Sequence, residues 1–130
     1  MFDRYVLVPN SLHNEIIDGQ VVGFSVKVRA GYYRGFRLAL LEDLQLTVDG
    51  LTFERKDLAL EVGGKPARPL DDLETEYEQT WDFGAPATLH VRKPGGLEPG
   101  AHSVIAYERI RVSYFPLPAE YTLADVQVVA

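Results

Sequence analysis

An all-β fold is predicted: a single-domain antiparallel β-sandwich of roughly eight short strands with one short helix, spanning residues 1–130. Three observations predict it. Apolar and polar residues alternate with a period of two in several runs, as in half-buried strands. Glycine-containing turn formers separate those runs. No strand–helix–strand alternation is present, which argues against a parallel sheet or a barrel.

The elements follow in chain order. Asp18-Gly19 is the first turn signal. In the run from Val21 to Ala30, Val22, Phe24, Val26 and Val28 form an apolar face, with Ser25, Lys27 and Arg29 on the other. Leu44, Leu46 and Val48 alternate with Asp43, Gln45 and Thr47, and Asp49-Gly50 then supplies a hairpin turn. Gly63-Gly64 marks another turn, and Pro69 to Tyr77 is the one helical stretch, too short for more than two turns. Ala87, Leu89 and Val91 repeat the strand pattern against Thr88, His90 and Arg92. Pro94-Gly95-Gly96 and Pro99-Gly100 close that segment. The longest run sets Val104, Ala106, Ile110, Val112 and Tyr114 against Ser103, Tyr107, Arg109, Arg111 and Ser113. Glu108 interrupts its apolar face, which predicts a bulge or a strand crossing between sheets.

A chain of 130 residues with 46% hydrophobic and 25% charged residues can build one core without staples. The absence of cysteine removes disulfides, thiolate metal sites and cysteine nucleophiles. It also suits a reducing compartment, and with no signal layout at Met1-Phe2-Asp3-Arg4 the expected location is cytoplasmic. No apolar run is long enough to span a bilayer. A net charge of −6 with dispersed basic residues disfavours nucleic acid as a partner. The acidic stretch Asp71, Asp72, Glu74, Glu76, Glu78 and Asp82 is expected to be solvated rather than to face a basic partner.

No catalytic set assembles from the sequence. His13, His90 and His102 have no metal-site spacing, and the serines lack a nucleophile elbow. Glu42 and Asp43 are adjacent on a strand, so they are expected on opposite faces and not converging on one bond. On that parity Glu42 faces inward and needs a partner such as Arg34 or Arg37. A sandwich enzyme using His90 or His102 with Glu108 is the weakest of three functional readings. Trp81 and Phe83 are expected to fill the core.

The segment Tyr32-Tyr33-Arg34-Gly35-Phe36-Arg37 stands apart. Loop tips are normally small and polar, whereas aromatic residues and arginine anchor interfaces. Two readings stay open: Tyr32 and Phe36 close the end of the sandwich, or Tyr33, Arg34 and Arg37 dock against a protein or a sugar ring. Tyr114 and Phe115, ahead of Pro116 and Pro118, either cap the core or present a contact. These seven residues are the candidate partner interface or pocket mouth. No catalytic residue and no metal ligand is assigned.

Several ordered segments carry a family resemblance. They are Met1-Phe2-Asp3-Arg4-Tyr5, Tyr32-Tyr33-Arg34-Gly35, Leu41-Glu42-Asp43-Leu44, Val48-Asp49-Gly50, Trp81-Asp82-Phe83-Gly84, Lys93-Pro94-Gly95-Gly96-Leu97 with Pro99-Gly100, and Val112-Ser113-Tyr114. In order, they resemble the small (β) subunits of bacterial C-glycoside deglycosidases. The resemblance implies a β-sandwich paired with a larger (β/α)-barrel α subunit similar to sugar isomerases. It further implies a divalent metal, commonly manganese, in that α subunit and no cofactor in this chain. The implied reaction cleaves the carbon–carbon bond between a 3-oxo-glucosyl group and a flavonoid-type aglycone, through an elimination made possible by the acidified sugar C2–H. A non-catalytic subunit of such a heteromeric lyase is therefore the first expectation. A free-standing carbohydrate-binding module is the alternative.

Overall fold

A computed structural model describes residues 3–112 and 116–130. In chain order the strands are β1 (His13–Ile17), β2 (Gln20–Val28), β3 (Phe36–Arg37), β4 (Leu41–Val48), β5 (Leu51–Thr52) and β6 (Leu58–Glu61). They continue with β7 (Arg68–Pro69), β8 (Thr80–Trp81), β9 (Ala87–Arg92), β10 (Gly100–Ile110) and β11 (Ala119–Val129). One sheet has the order β1-β2-β9-β6-β7, the second β11-β10-β4-β5, and β3 and β8 form a separate two-stranded ribbon. Every pairing is antiparallel. The fold is all-β, as predicted. The strand count exceeds the expected eight because four of the strands, β3, β5, β7 and β8, are only two residues long. No helix among the described residues is long and apolar enough to cross a membrane.

The core lies between the two larger sheets. Phe24, Val26 and Val28 of β2, with Leu89 and Val91 of β9, share one buried cluster with Leu44, Leu46 and Val48 of β4 and Val104, Ala106 and Ile110 of β10. Each such Val, Leu, Ile or Phe side chain removed from water contributes about 1.5–3 kcal/mol before the entropy of ordering is subtracted. Asp18-Gly19 and Asp49-Gly50 turn two hairpins with positive φ at both residues (51° and 77°, 50° and 83°). That is the turn whose twist matches the flanking strands.

Two bulges displace residues from their predicted faces. In β2 the register steps from Glu15↔Gly23 to Ile16↔Val21, so Val22 is the extra residue and is exposed instead of buried. In β4 it steps from Arg109↔Asp43 to Ile110↔Leu41, so Glu42 is the extra residue. The bulge or crossing expected at Glu108 is not found: β10 keeps unbroken register with β11 through Glu108, and the nearby bulge belongs to β4. Glu108 itself keeps its inward parity and is fully buried. The predicted helix is a six-residue 3-10 segment, Leu70–Thr75, with Leu70 and Leu73 buried. A 3-10 turn aligns residues three apart, which suits that pair. Three further 3-10 turns, Asp3–Tyr5, Leu38–Leu40 and Arg55–Asp57, were not anticipated.

The first described segment is tied to the last strand. Gln127 is buried, its Oε1 accepts from the Ser11 and Leu12 amides at 3.1 and 2.9 Å, and its Nε2 donates to Val8 O at 3.0 Å. Val6 and Leu7 enter the core beside it.

Candidate functional site: an arginine and aromatic end of the sandwich

The loop leaving β2 is fixed at both ends. At its start the Gly31 amide donates to Glu108 Oε1 at 2.7 Å, so the buried carboxylate of β10 holds the loop from inside the core. A Cβ at Gly31 would sit 2.4 Å from Tyr121 Cγ, so only glycine lets the chain pass that ring. At its end Phe36 and Arg37 pair with Trp81 and Thr80. Trp81 is fully buried, donates Nε1–H to Ala85 O at 2.9 Å, and stands 5.8 Å from the Phe36 ring. The aromatic series continues from Phe36 to Tyr32 (6.5 Å) and from Tyr32 to Tyr33 (4.8 Å). The Arg34 guanidinium lies 5.2 Å from the Tyr33 ring centroid, within cation–π range.

The loop divides by burial. Tyr32 and Phe36 are buried and close the sandwich end, whereas Tyr33, Arg34 and Arg37 are exposed. Beside the loop lies a concavity of about 460 Å³, lined by Tyr32, Arg34, Phe36, Arg37, Tyr77 and Arg111 among others. A second cleft of about 310 Å³, between Tyr5, Arg29 and Phe83, opens next to it in the chain, since Arg29 precedes the loop and Phe83 follows β8. Tyr114 and Phe115 lie outside the described residues.

Phe83 corrects an expectation. It is 53% exposed, while its neighbour Trp81 fills the core as predicted. Phe83 sits in a turn ahead of Gly84, whose φ is 77°, and not on the strand. Tyr5, Tyr77 and Arg111 were missed as members of this end. Tyr77 sits just past the 3-10 segment, and its signal was a lone aromatic within an acidic run.

Of the two carboxylates next to this end, Glu42 departs from prediction, while Asp43 lies on the polar face as read from the sequence. Because Glu42 is the bulged residue, the burial sequence from Leu41 is buried, partial, partial, buried, and Glu42 and Asp43 both leave the core side. Glu42 pairs with Arg111 at 2.7 Å and Arg109 at 3.3 Å, not with Arg34 or Arg37. Asp43 pairs with Arg55 at 2.9 Å, and Arg55 also reaches Asp71 at 3.0 Å. Burial pulls the Arg55 guanidinium down, but the Asp71 and Asp43 hydrogen bonds outweigh it and hold it above its ordinary value. The acidic stretch is mostly solvated, as expected, although Glu76 is tied to Arg68 at 2.7 Å. The Arg68 hydrogen bond, followed by the Glu78 and Gln79 amides, lowers the Glu76 carboxyl.

The histidines do not assemble with Glu108. His90 is clamped between Glu15 (Nδ1, 2.7 Å) and Glu61 (Nε2, 2.9 Å) on the outer side of the first sheet. Partial burial disfavours its charge, but the two carboxylates prevail and raise it above the ordinary imidazole value. His102 engages Asp49 at 2.6 Å and Glu98 O at 2.7 Å, and the Glu98 carbonyl, then Asp49, raises it too. Ser25 Oγ lies 3.1 Å from His13 Nε2, but Ser25 is only 1% exposed, which closes it to a substrate. Among the described residues no group of three His, Asp or Glu is placed to hold a metal. Both ring nitrogens of His90 and of His102 already have partners, so these residues do not fit a metal centre.

Among the described residues this end exposes aromatic rings and arginines, and no acid, base and nucleophile converge. The model of one family, C-glycoside deglycosidase beta subunit, matches residues 2–114. The chain belongs to that family. A C-glycoside deglycosidase beta subunit of Eubacterium cellulosolvens is 30% identical over 99 residues, covering 76% of this chain and 67% of the relative. A 3'-dehydrocarminate deglycosidase beta subunit of a Microbacterium species is 33% identical over 119 residues, covering 90% of this chain and 83% of the relative. The match to the family takes in the whole of the Tyr32–Arg37 loop and the β3–β8 ribbon that holds it.

Proposed function

We propose that this chain is the non-catalytic beta subunit of a heteromeric C-glycoside deglycosidase, joined to a larger (β/α)-barrel alpha subunit. The family match carries the proposal, since the matched family is defined as a beta subunit. The complex would cleave the carbon–carbon bond between a 3-oxo-glucosyl group and an aromatic, flavonoid-type aglycone. A ketone beside the sugar C2–H acidifies that proton, so a base can drive elimination of the aglycone carbon. A divalent metal, commonly manganese, would reside on the alpha subunit and polarise the sugar oxygens there. This chain's own part is to present a rigid docking end: Tyr33, Arg34, Arg37 and Phe83 project from a frame locked by Trp81, Phe36 and the Glu108–Gly31 hydrogen bond. Aromatic residues and arginine on a pre-ordered frame bind with little added entropy cost.

The test is co-expression with adjacent reading frames, followed by size-exclusion chromatography and activity assays. A co-eluting barrel protein is expected, with C-glycoside cleavage by the mixture and none by this chain alone. Turnover of an oxidised C-glycoside by the isolated chain would overturn the non-catalytic role. Saturable glucoside binding without any co-eluting protein would favour a carbohydrate-binding module instead.

A further inference from the structure

We infer that the concavity beside the Tyr32–Arg37 loop receives a carboxylate-bearing segment of the partner subunit, gripped by Arg34 and Arg37. The inference rests on the docking role just proposed and names its chemistry.

Charge is the first argument. The chain carries a net charge of −6, yet among the described residues the lining of this concavity contains three arginines and no aspartate or glutamate. Four other surface arginines are neutralised within the chain: Arg55 by Asp43 and Asp71, Arg68 by Glu76, and Arg109 and Arg111 by Glu42. Arg34 and Arg37 are not: among the described residues neither has a carboxylate within ion-pair distance. Two uncompensated guanidiniums on one rigid loop make a fork for carboxylates.

The floor is the second argument. Tyr32, Phe36 and Val112 are buried beneath the concavity, and Tyr77 stands 60% exposed at its side. An apolar floor under a cationic rim suits an acidic side chain whose stem packs against rings while its head meets arginine. Nucleic acid does not fit, because a polyanion would feel the negative field of the whole molecule, whereas one or two carboxylates feel mainly the local guanidiniums. A neutral sugar gives the two cations nothing to neutralise.

The experiment measures the affinity of the co-purified alpha and beta subunits by sedimentation or biolayer interferometry. The double variant R34Q/R37Q should bind about 30-fold more weakly, and R34E/R37E should weaken binding further. Raising the salt from about 50 to 500 mM should weaken the wild-type complex and leave R34Q/R37Q nearly unaffected. Arg92→Gln, an exposed change away from this end, should bind like wild type. Phe83→Ala separates the inference from the reading beneath it. Weakened binding by F83A with unchanged, salt-insensitive binding by R34Q/R37Q would overturn the carboxylate fork and leave the docking role standing. Normal binding by all variants would overturn both. Intact assembly by R34Q/R37Q with a raised KM confined to an anionic aglycone would assign the concavity to substrate and overturn the inference.

Discussion

Replacing Gln127 with leucine should cost about 3 kcal/mol of folding stability, because one amide satisfies three backbone groups. The Leu12 amide is buried, and losing its acceptor at 2.9 Å exposes the fold to about 1–3 kcal/mol for an unmet donor. The Ser11 amide and the Val8 carbonyl are partly buried and can recover water, so each contributes about 0.5–1 kcal/mol. With an unfolding entropy of about 2.1 cal/mol/K per residue over 130 residues, that loss lowers the thermal midpoint by about 10 °C. Urea unfolding read by far-UV circular dichroism should show a lower midpoint with an unchanged slope. Val128→Thr, an exposed change on the same strand, should stay within about 0.5 kcal/mol. A loss below about 1 kcal/mol for Q127L would refute the reasoning, and would mean that the packing of Val6 and Leu7 and their backbone pairing beside β2 suffice to anchor the first segment.

Further outcomes are expected elsewhere. His90 has a folded pKa above its ordinary 6.5, so its clamp stabilises fully below pH 6.5 and is lost as pH rises through the folded value. The stability difference between wild type and His90→Asn, followed by urea unfolding from about pH 5.5 to 8.5, should therefore shrink with rising pH; a flat difference would count against the clamp. Trp81→Phe removes the Nε1–H bond to Ala85 and part of a fully buried side chain, and should cost about 2 kcal/mol by thermal denaturation. Gly31→Ala forces a methyl against the Tyr121 ring and should cost about 1–3 kcal/mol while weakening subunit association in a pull-down. Glu42→Ala breaks ion pairs to exposed arginines and should change stability by no more than about 1 kcal/mol.

The all-β class was legible because period-two patterning survives in single strands: Leu44, Leu46 and Val48, or Ala87, Leu89 and Val91, need no tertiary information to be read. The two Asp-Gly hairpins were legible for the same local reason. The faces of Val22 and Glu42 were not, since a bulge shifts parity and is decided by the neighbouring strand. Phe83 misled because Trp81 and Phe83 look alike in a strand pattern, while the strand ends at Trp81. The candidate end stood out in Tyr32–Arg37 as an unusual composition. Its counterparts Tyr5, Tyr77 and Arg111 come from distant parts of the chain, and only folding brings Tyr77 and Arg111 to the same concavity.

Glu108 and Gly31 give the Tyr32–Arg37 loop an inner foundation. A hexapeptide copied from this loop onto another sandwich would bring its rings and cations but neither Gly31 nor the carboxylate that fixes the Gly31 amide. Transplants should therefore carry the supporting residues of β10 and the β3–β8 ribbon with them. Recombination between family members is constrained in the same way: loop and scaffold must be exchanged as one unit.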